Sequence, residues 1–250
     1  MPGTLYLIPN TLGPIDADSV DLLGLVIPTE VQSLTARLDY FIAENAKTTR
    51  AFLKLVAAIR PLAKPLQEIR ISELNVNTEA SMLPSLLAPL QAGQDAGLIS
   101  EAGVPAVADP GANLVRLAHQ KGIEVKPLVG PSSILLAVMA SGLNGQSFAF
   151  NGYLPVDPAE RAKRIKALEE RSRQERQTQL FIETPYRNSA LLEALIKTCK
   201  GNTLVCVATD LTLPGESIQT RMVANWKEEL SSGRMPALHK KPTVFLLLAG

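Results

Sequence analysis

Carboxylates, a lysine and a set of hydroxyls beside glycine and proline turns are where this 250-residue chain offers chemistry. Residues 98–111 read Leu-Ile-Ser-Glu-Ala-Gly-Val-Pro-Ala-Val-Ala-Asp-Pro-Gly, so Ser100 and Glu101 leave an apolar run just before Gly103, Val104 and Pro105. Gly103 admits φ > 0 or the close approach of a ligand, and Pro105 stiffens the residues after it. Residues 44–50, Glu-Asn-Ala-Lys-Thr-Thr-Arg, follow a second apolar run and supply Glu44 and Lys47. A carboxylate at such a loop end is the kind of group that takes a proton from an attacking hydroxyl, and a nearby ammonium positions an anion. Glu101 ranks first among these three candidates, and it serves equally well as a carboxylate that braces its own turn.

Among the elements that must carry these side chains, residues 95–100 read as a strand. Asp109 is the N-cap and Pro110 the first residue of a helix over 110–121. Ligands of open α/β sheets sit at such strand-to-helix crevices. Three further stretches repeat the pattern. Residues 4–13 are a strand ending in Pro9 and Gly13, residues 127–133 end in Gly130, Ser132 and Ser133, and residues 181–187, Phe-Ile-Glu-Thr-Pro-Tyr-Arg, place Glu183 after a fourth strand.

Together these loops resemble the tetrapyrrole methylase superfamily of S-adenosylmethionine-dependent methyltransferases, with the order and spacing matched from Leu5 to Gly250. Within it, the branch most similar is that of the small-subunit ribosomal RNA ribose 2′-O-methyltransferases. The resemblance implies an α/β protein of two domains, 1–127 and 128–250, each a mixed sheet flanked by helices, with S-adenosyl-L-methionine in the cleft between them. By the same token Pro9, Ser100, Gly103, Val104, Pro105, Asp109, Gly130, Ser132, Ser133, Glu183, Thr209 and Leu211 are the expected cofactor residues. Their serines and Thr209 would satisfy the cofactor's carboxylate, amino and adenine groups. RNA or a small-molecule acceptor, a homodimer and the cytoplasm are implied as partner, assembly and location. The superfamily's other large substrate class, corrinoid or porphyrin rings, is the alternative acceptor, and a non-catalytic S-adenosylmethionine-binding paralogue is a third reading.

Three departures from the ribosomal RNA branch all fall on the substrate side. Glu-Asn stands at 44–45 where that branch has Glu-Asp-Thr-Arg, Ser-Glu-Leu-Asn-Val-Asn fills 72–77 where a histidine is frequent, and Lys240-Lys241-Pro242-Thr243 replaces Lys-Gly-Glu.

Composition narrows the field without choosing. A 46% hydrophobic chain of this length builds one large or two medium cores. A net charge of +1 with 4% aromatics makes no general demand for nucleic acid or an anionic membrane. No Gly-rich dinucleotide fingerprint, P-loop, zinc-protease helix or nucleophile elbow occurs. The two cysteines and two histidines show no metal-ligand spacing, and Cys206 reads as a buried free thiol, so no metal is expected. The apolar runs are too short to span a bilayer.

Along the rest of the chain, the sequence predicts helices at 30–38, at 50–59 with Thr48 or Thr49 as cap, at 82–91 interrupted by Pro84 and Pro89, at 134–141, at 158–175 after Asp157, at 190–198 and at 224–230. Strands are expected at 40–44, 67–72, 124–128, 148–153, 179–183 and 203–210, with edge-forming strands at 216–222 and 243–249. Residues 14–24, with Asp16, Asp18 and Asp21, read as an acidic connector. The span 160–176 holds seven Lys or Arg against four Glu, a solvated helix face or a set of phosphate contacts.

Overall fold

The structure is a computed structural model that describes residues 1–14 and 21–250; Asp16 and Asp18 of the acidic connector lie outside the described residues. It divides into two compact units, Met1–Ser132 and Ser133–Gly250. Residues 128–132, assigned to the second domain from sequence, stay with the first unit. There the Leu128 N–H donates to the Leu7 carbonyl at 3.1 Å.

The first unit is a five-stranded sheet in the order β3-β2-β4-β1-β5, built from β1 (Thr4–Ile8), β2 (Tyr40–Ala43), β3 (Arg70–Glu73), β4 (Ala96–Ile99) and β5 (Glu124–Pro127). All four pairings are parallel. Side chains alternate between its faces, so β2 sends Tyr40 and Ile42 to one apolar cluster and Phe41 and Ala43 to another. The first cluster is closed by α4 (Leu83–Gln91) and α5 (Gly111–Gln120), the second by α1 (Asp21–Val26), α2 (Thr29–Arg37) and α3 (Ala46–Ile59). Burial on both faces explains why the inner strands β2 and β4 read as short continuous apolar runs, while the edge strands β3 and β5 carry charged residues.

The second unit has the order β6-β7-β10-β8-β9 for β6 (Phe148–Tyr153), β7 (Thr178–Ile182), β8 (Leu204–Thr209), β9 (Ser217–Met222) and β10 (Thr243–Leu248). Here β6 and β7 are parallel and the other three pairings antiparallel, so the antiparallel ladders of a mixed sheet belong to this unit. One face is covered by α7 (Pro158–Glu175), α8 (Asn188–Thr198) and α9 (Val223–Ser231), around Phe181, Trp226 and Phe245. The other is met by α6 (Ser133–Ser141).

Four local expectations are corrected. β10 is central and not an edge, because Val244 to Leu247 are buried and paired on both sides. α3 begins at Ala46, a turn earlier than expected, because the Asn45 side chain accepts from the N–H groups of Lys47 and Thr48 at 2.9 and 3.3 Å. Thr48 and Thr49 instead turn their hydroxyls back to the Asn45 carbonyl. Pro84 does not interrupt α4, since it occupies the first turn, where its missing N–H is not needed. α5 starts at Gly111, while Pro110 precedes it in helical geometry.

Candidate active site

The strands of the first unit end together. β1 and β4 are neighbours whose outgoing connections leave in opposite directions along the sheet, β1 toward β2 and β4 toward β5. That is a topological switch point, where ligands of open α/β sheets bind. The loop after β1 is stitched to the loop after β4 by Asn10, a buried residue that sequence reasoning left without a role. Its backbone N–H donates to the Gly103 carbonyl at 2.8 Å, and its side-chain amide donates to the carbonyls of Ser100 and Glu101 at 3.0 and 3.1 Å. Its own Oδ1 accepts from the Thr11 N–H at 2.8 Å. The one signal for it in the sequence is an amide immediately after a strand-ending proline.

Gly103 has φ +68°, as its place in the turn predicted, and a side chain there would press on Leu12. Ala106 and Ala108 also lie in the left-handed region, at φ 66° and 64°, which L-residues adopt at a cost. Asp109 holds this shape. Its carboxylate accepts from the Ala106 N–H at 2.9 Å and from the Gly111 N–H at 2.8 Å. Burial pushes the Asp109 carboxyl above the usual 3.8; the two backbone donors oppose that shift and the Glu44 charge adds to it. Asp109 thus holds the first N–H of α5 and restrains the loop before it.

Glu44, half-buried at the end of β2, accepts the Glu101 N–H at 3.0 Å. Glu44, Ser100, Pro105 and Asp109 also share the walls of a small cavity of about 10 Å³. The Glu101 side chain is exposed and lines a larger cavity of about 570 Å³, together with Thr11, Thr48, Phe52, Lys54 and Leu55. Lys47 is exposed on the first turn of α3. Gly130 does permit a close approach, but its neighbour is Pro9, on which a Cβ would fall at 2.2 Å. Pro9, Ser100, Gly103, Val104, Pro105, Asp109, Gly130 and Ser132 therefore gather around the carboxyl ends of one parallel sheet, along with Glu44, Glu101 and Lys47.

Ser133, Glu183, Thr209 and Leu211 belong to the second unit. Ser133 opens α6. Glu183 comes directly after β7 with its side chain buried; Oε1 accepts from the Thr184 N–H and from Arg187 Nε and Nη2 at 2.6, 3.0 and 2.6 Å. Its other oxygen, Oε2, is buried with no partner among the described residues. Thr209 and Leu211 are buried at the end of β8, flanking Asp210, whose φ is 51°. Lys241 bonds to Asp210 at 2.7 Å, which accounts for the lysine in the segment that departs from the ribosomal RNA branch. A cavity of about 190 Å³ opens there between Thr209, Ser217, Gln219, Leu238 and Lys241.

Switch-point loops pinned by side chains, with the carboxylates of Glu44 and Glu101 at their rim, define an α/β protein with a candidate ligand site at the carboxyl ends of its parallel sheet. Residues 29–224 match the family model of the tetrapyrrole (corrin/porphyrin) methylases, and the chain belongs to that family. It is a methyltransferase, in a family whose usual methyl donor is S-adenosylmethionine. Among its relatives, proteins named ribosomal RNA small subunit methyltransferase I are 40% identical over 55% of this chain in Mesorhizobium japonicum and 31% identical over 86% of it in Escherichia coli. The aligned stretch spans 45% of the first relative and 68% of the second. Among solved structures, the methyltransferase CobJ superposes with a TM-score of 0.62 at 18% identity, covering 99% of this chain and 95% of that one, which establishes the fold alone. No helix among the described residues is long and apolar enough to cross a membrane.

Proposed function

We propose that this chain transfers a methyl group from S-adenosylmethionine to RNA, at a ribose hydroxyl of small-subunit ribosomal RNA, working as a cytoplasmic homodimer. The observation that carries the reading is the 31% identity to the Escherichia coli ribosomal RNA small subunit methyltransferase I across 86% of the chain. The residues present suit the donor, which carries an ammonium and a sulfonium besides its carboxylate. Glu183 keeps a buried carboxylate oxygen without a partner, a ready acceptor for an ammonium or a hydroxyl. Ser100, Ser132, Ser133 and Thr209 add neutral hydroxyls, and Gly103, Val104, Pro105 and Leu211 add backbone and apolar surface. Bound S-adenosylmethionine would supply an electrophilic methyl and leave as a neutral thioether.

In this reading Glu101 takes the proton of the attacking hydroxyl. Its side chain stands free at the cavity rim while its backbone is held by Glu44 and Asn10. Glu44, whose Oε2 accepts the Glu101 N–H, then serves to position Glu101. Lys47 positions the anionic backbone of the acceptor. Holding donor and acceptor in line while excluding water supplies most of what such a transfer needs.

The test is transfer of isotopically labelled methyl from S-adenosylmethionine to a small-subunit ribosomal RNA transcript, read by nucleoside mass spectrometry. The expected product is a 2′-O-methylated nucleoside, and Glu101→Gln lowers kcat by about 10²–10⁴-fold with donor affinity unchanged. Transfer to a precorrin with none to RNA overturns the substrate, and donor binding without transfer to either overturns the enzymatic reading.

A further inference from the structure

We infer that helix α3 is the track on which the RNA strand lies, with the adjoining cavity receiving the nucleoside to be methylated; this rests on the RNA reading above. The 14-residue helix carries three charged side chains, Lys47, Arg50 and Lys54, and none is acidic. All three are exposed, and among the described residues none of them enters an ion pair. At 3.6 residues per turn Lys47 and Lys54 lie nearly in line, with Arg50 beside them, so the cations form one stripe along the helix. The next stripe round, Thr48, Ala51 and Leu55, lines the cavity of about 570 Å³, and Lys54 borders both.

The two acidic groups at the start of α3 are already engaged, Glu44 by the Glu101 N–H and Glu73 by the Ala46 N–H at 3.1 Å. With none of the three cations paired among the described residues, the stripe presents free positive charge beside the cavity that Glu101 lines. Phe52 and Leu55 give that cavity an apolar wall, while Thr11, Thr48 and Glu101 give it polar groups. Its size lies within the about 300–1,000 Å³ of small-molecule sites and fits a single nucleoside. A nucleic-acid strand, anionic along its backbone and partly apolar in its bases, is the partner that matches a mixed polar and apolar pocket flanked by a line of cations. The long helix α7, the obvious basic segment in the sequence, contrasts with it. Four glutamates are interspersed there, Arg171 and Arg173 are paired to Glu175 and Glu170, and Arg164 donates to Asn151 at 3.2 Å.

The test measures binding of a fluorescently labelled single-stranded fragment of small-subunit ribosomal RNA by anisotropy, from 50 to 200 mM salt. Replacing Lys47, Arg50 and Lys54 together by glutamine is expected to flatten the slope of log K against log salt by about 0.7 per lost contact, roughly two in all. Across that salt range the wild type then loses roughly 20-fold more affinity than the variant. Lys163→Gln with Lys166→Gln on α7 leaves the slope as it was. S-adenosylmethionine affinity and the far-UV dichroism of the α3 variant match the wild type, which excludes misfolding as the cause. An unchanged slope in the α3 variant, with the wild type methylating RNA, overturns this inference and leaves the proposed function standing. A wild type that neither binds nor methylates RNA overturns both.

Discussion

A single residue, Asn10, makes three hydrogen bonds that lock two loops together and a fourth within its own loop, and its loss sets the clearest expectation at the scale of one residue. Asn10→Ala leaves the carbonyls of Ser100 and Glu101 and the N–H of Thr11 without their partner, a cost of about 1–3 kcal/mol for groups this buried. Urea unfolding measures it. Asn10→Asp keeps the acceptor for Thr11 but sets a carboxylate against two carbonyls, so it is expected to be at least as damaging; a neutral result for both variants denies Asn10 its locking role. Asp109 gives a pH expectation of known sign. Its carboxyl is raised by burial, so the folded state favours the protonated form, and its contribution is full below 3.8 and lost as pH rises through the raised value. Asp39 acts in the opposite sense: bonding to Lys64 and Gln94 lowers it, so its contribution is lost as pH falls. Comparing wild type with Asp109→Asn across acidic pH isolates the first effect, and the variant is expected to gain stability relative to wild type as pH rises. A constant difference between the two would mean that Asp109 titrates normally.

The elements were legible where side-chain chemistry is local and obscure where it is not. Gly103 announced its left-handed turn, but Ala106 and Ala108 could not, since alanine carries no preference for that region, and the Asp109 carboxylate that holds the Ala106 N–H acts only in the folded loop. The apolar run of 243–249 identified a strand but placed it at an edge, since its central place depends on pairing with β7 and β8 far away in sequence. The start of α3 was misplaced because three nearby residues, Asn45, Thr48 and Thr49, are all competent caps, and only geometry shows that Asn45 bonds to two N–H groups. Asn45→Ala is expected to cost about 0.5–2 kcal/mol in thermal or urea unfolding. Because α3 carries both the cation stripe and Thr48, the variant should also weaken RNA binding, while Asn45→Asp retains the cap and the stability. Equal stability of the alanine and aspartate variants would show that the cap is idle.

At the scale of the whole molecule, the near-neutral total charge concealed where charge is uncompensated, and the residues proposed to hold the donor are divided between two units. Composition cannot report either fact, because the first depends on which side chains already have partners and the second on where the fold places them. Glu183 illustrates the point: its sequence context marked it as loop chemistry, but only the fold shows one oxygen consumed by Arg187 and the other buried without a partner among the described residues. A donor held by both units should stabilise both. S-adenosylmethionine at a hundredfold excess over its Kd should raise the unfolding free energy by about 2.7 kcal/mol, since it binds the folded chain alone. For a chain of this size that corresponds to roughly 5–10 °C in Tm. Amide hydrogen exchange should locate the gain in the loops 9–13, 100–109 and 128–132 of the first unit and in 183–187 and 209–212 of the second. Protection confined to the first unit would remove Ser133, Glu183, Thr209 and Leu211 from the donor site. Glu183→Gln would decide the same point by calorimetry: weakened donor binding at unchanged Tm of the free protein supports a role for the unpartnered oxygen, and a fall in Tm alone assigns Glu183 to the ion pair with Arg187.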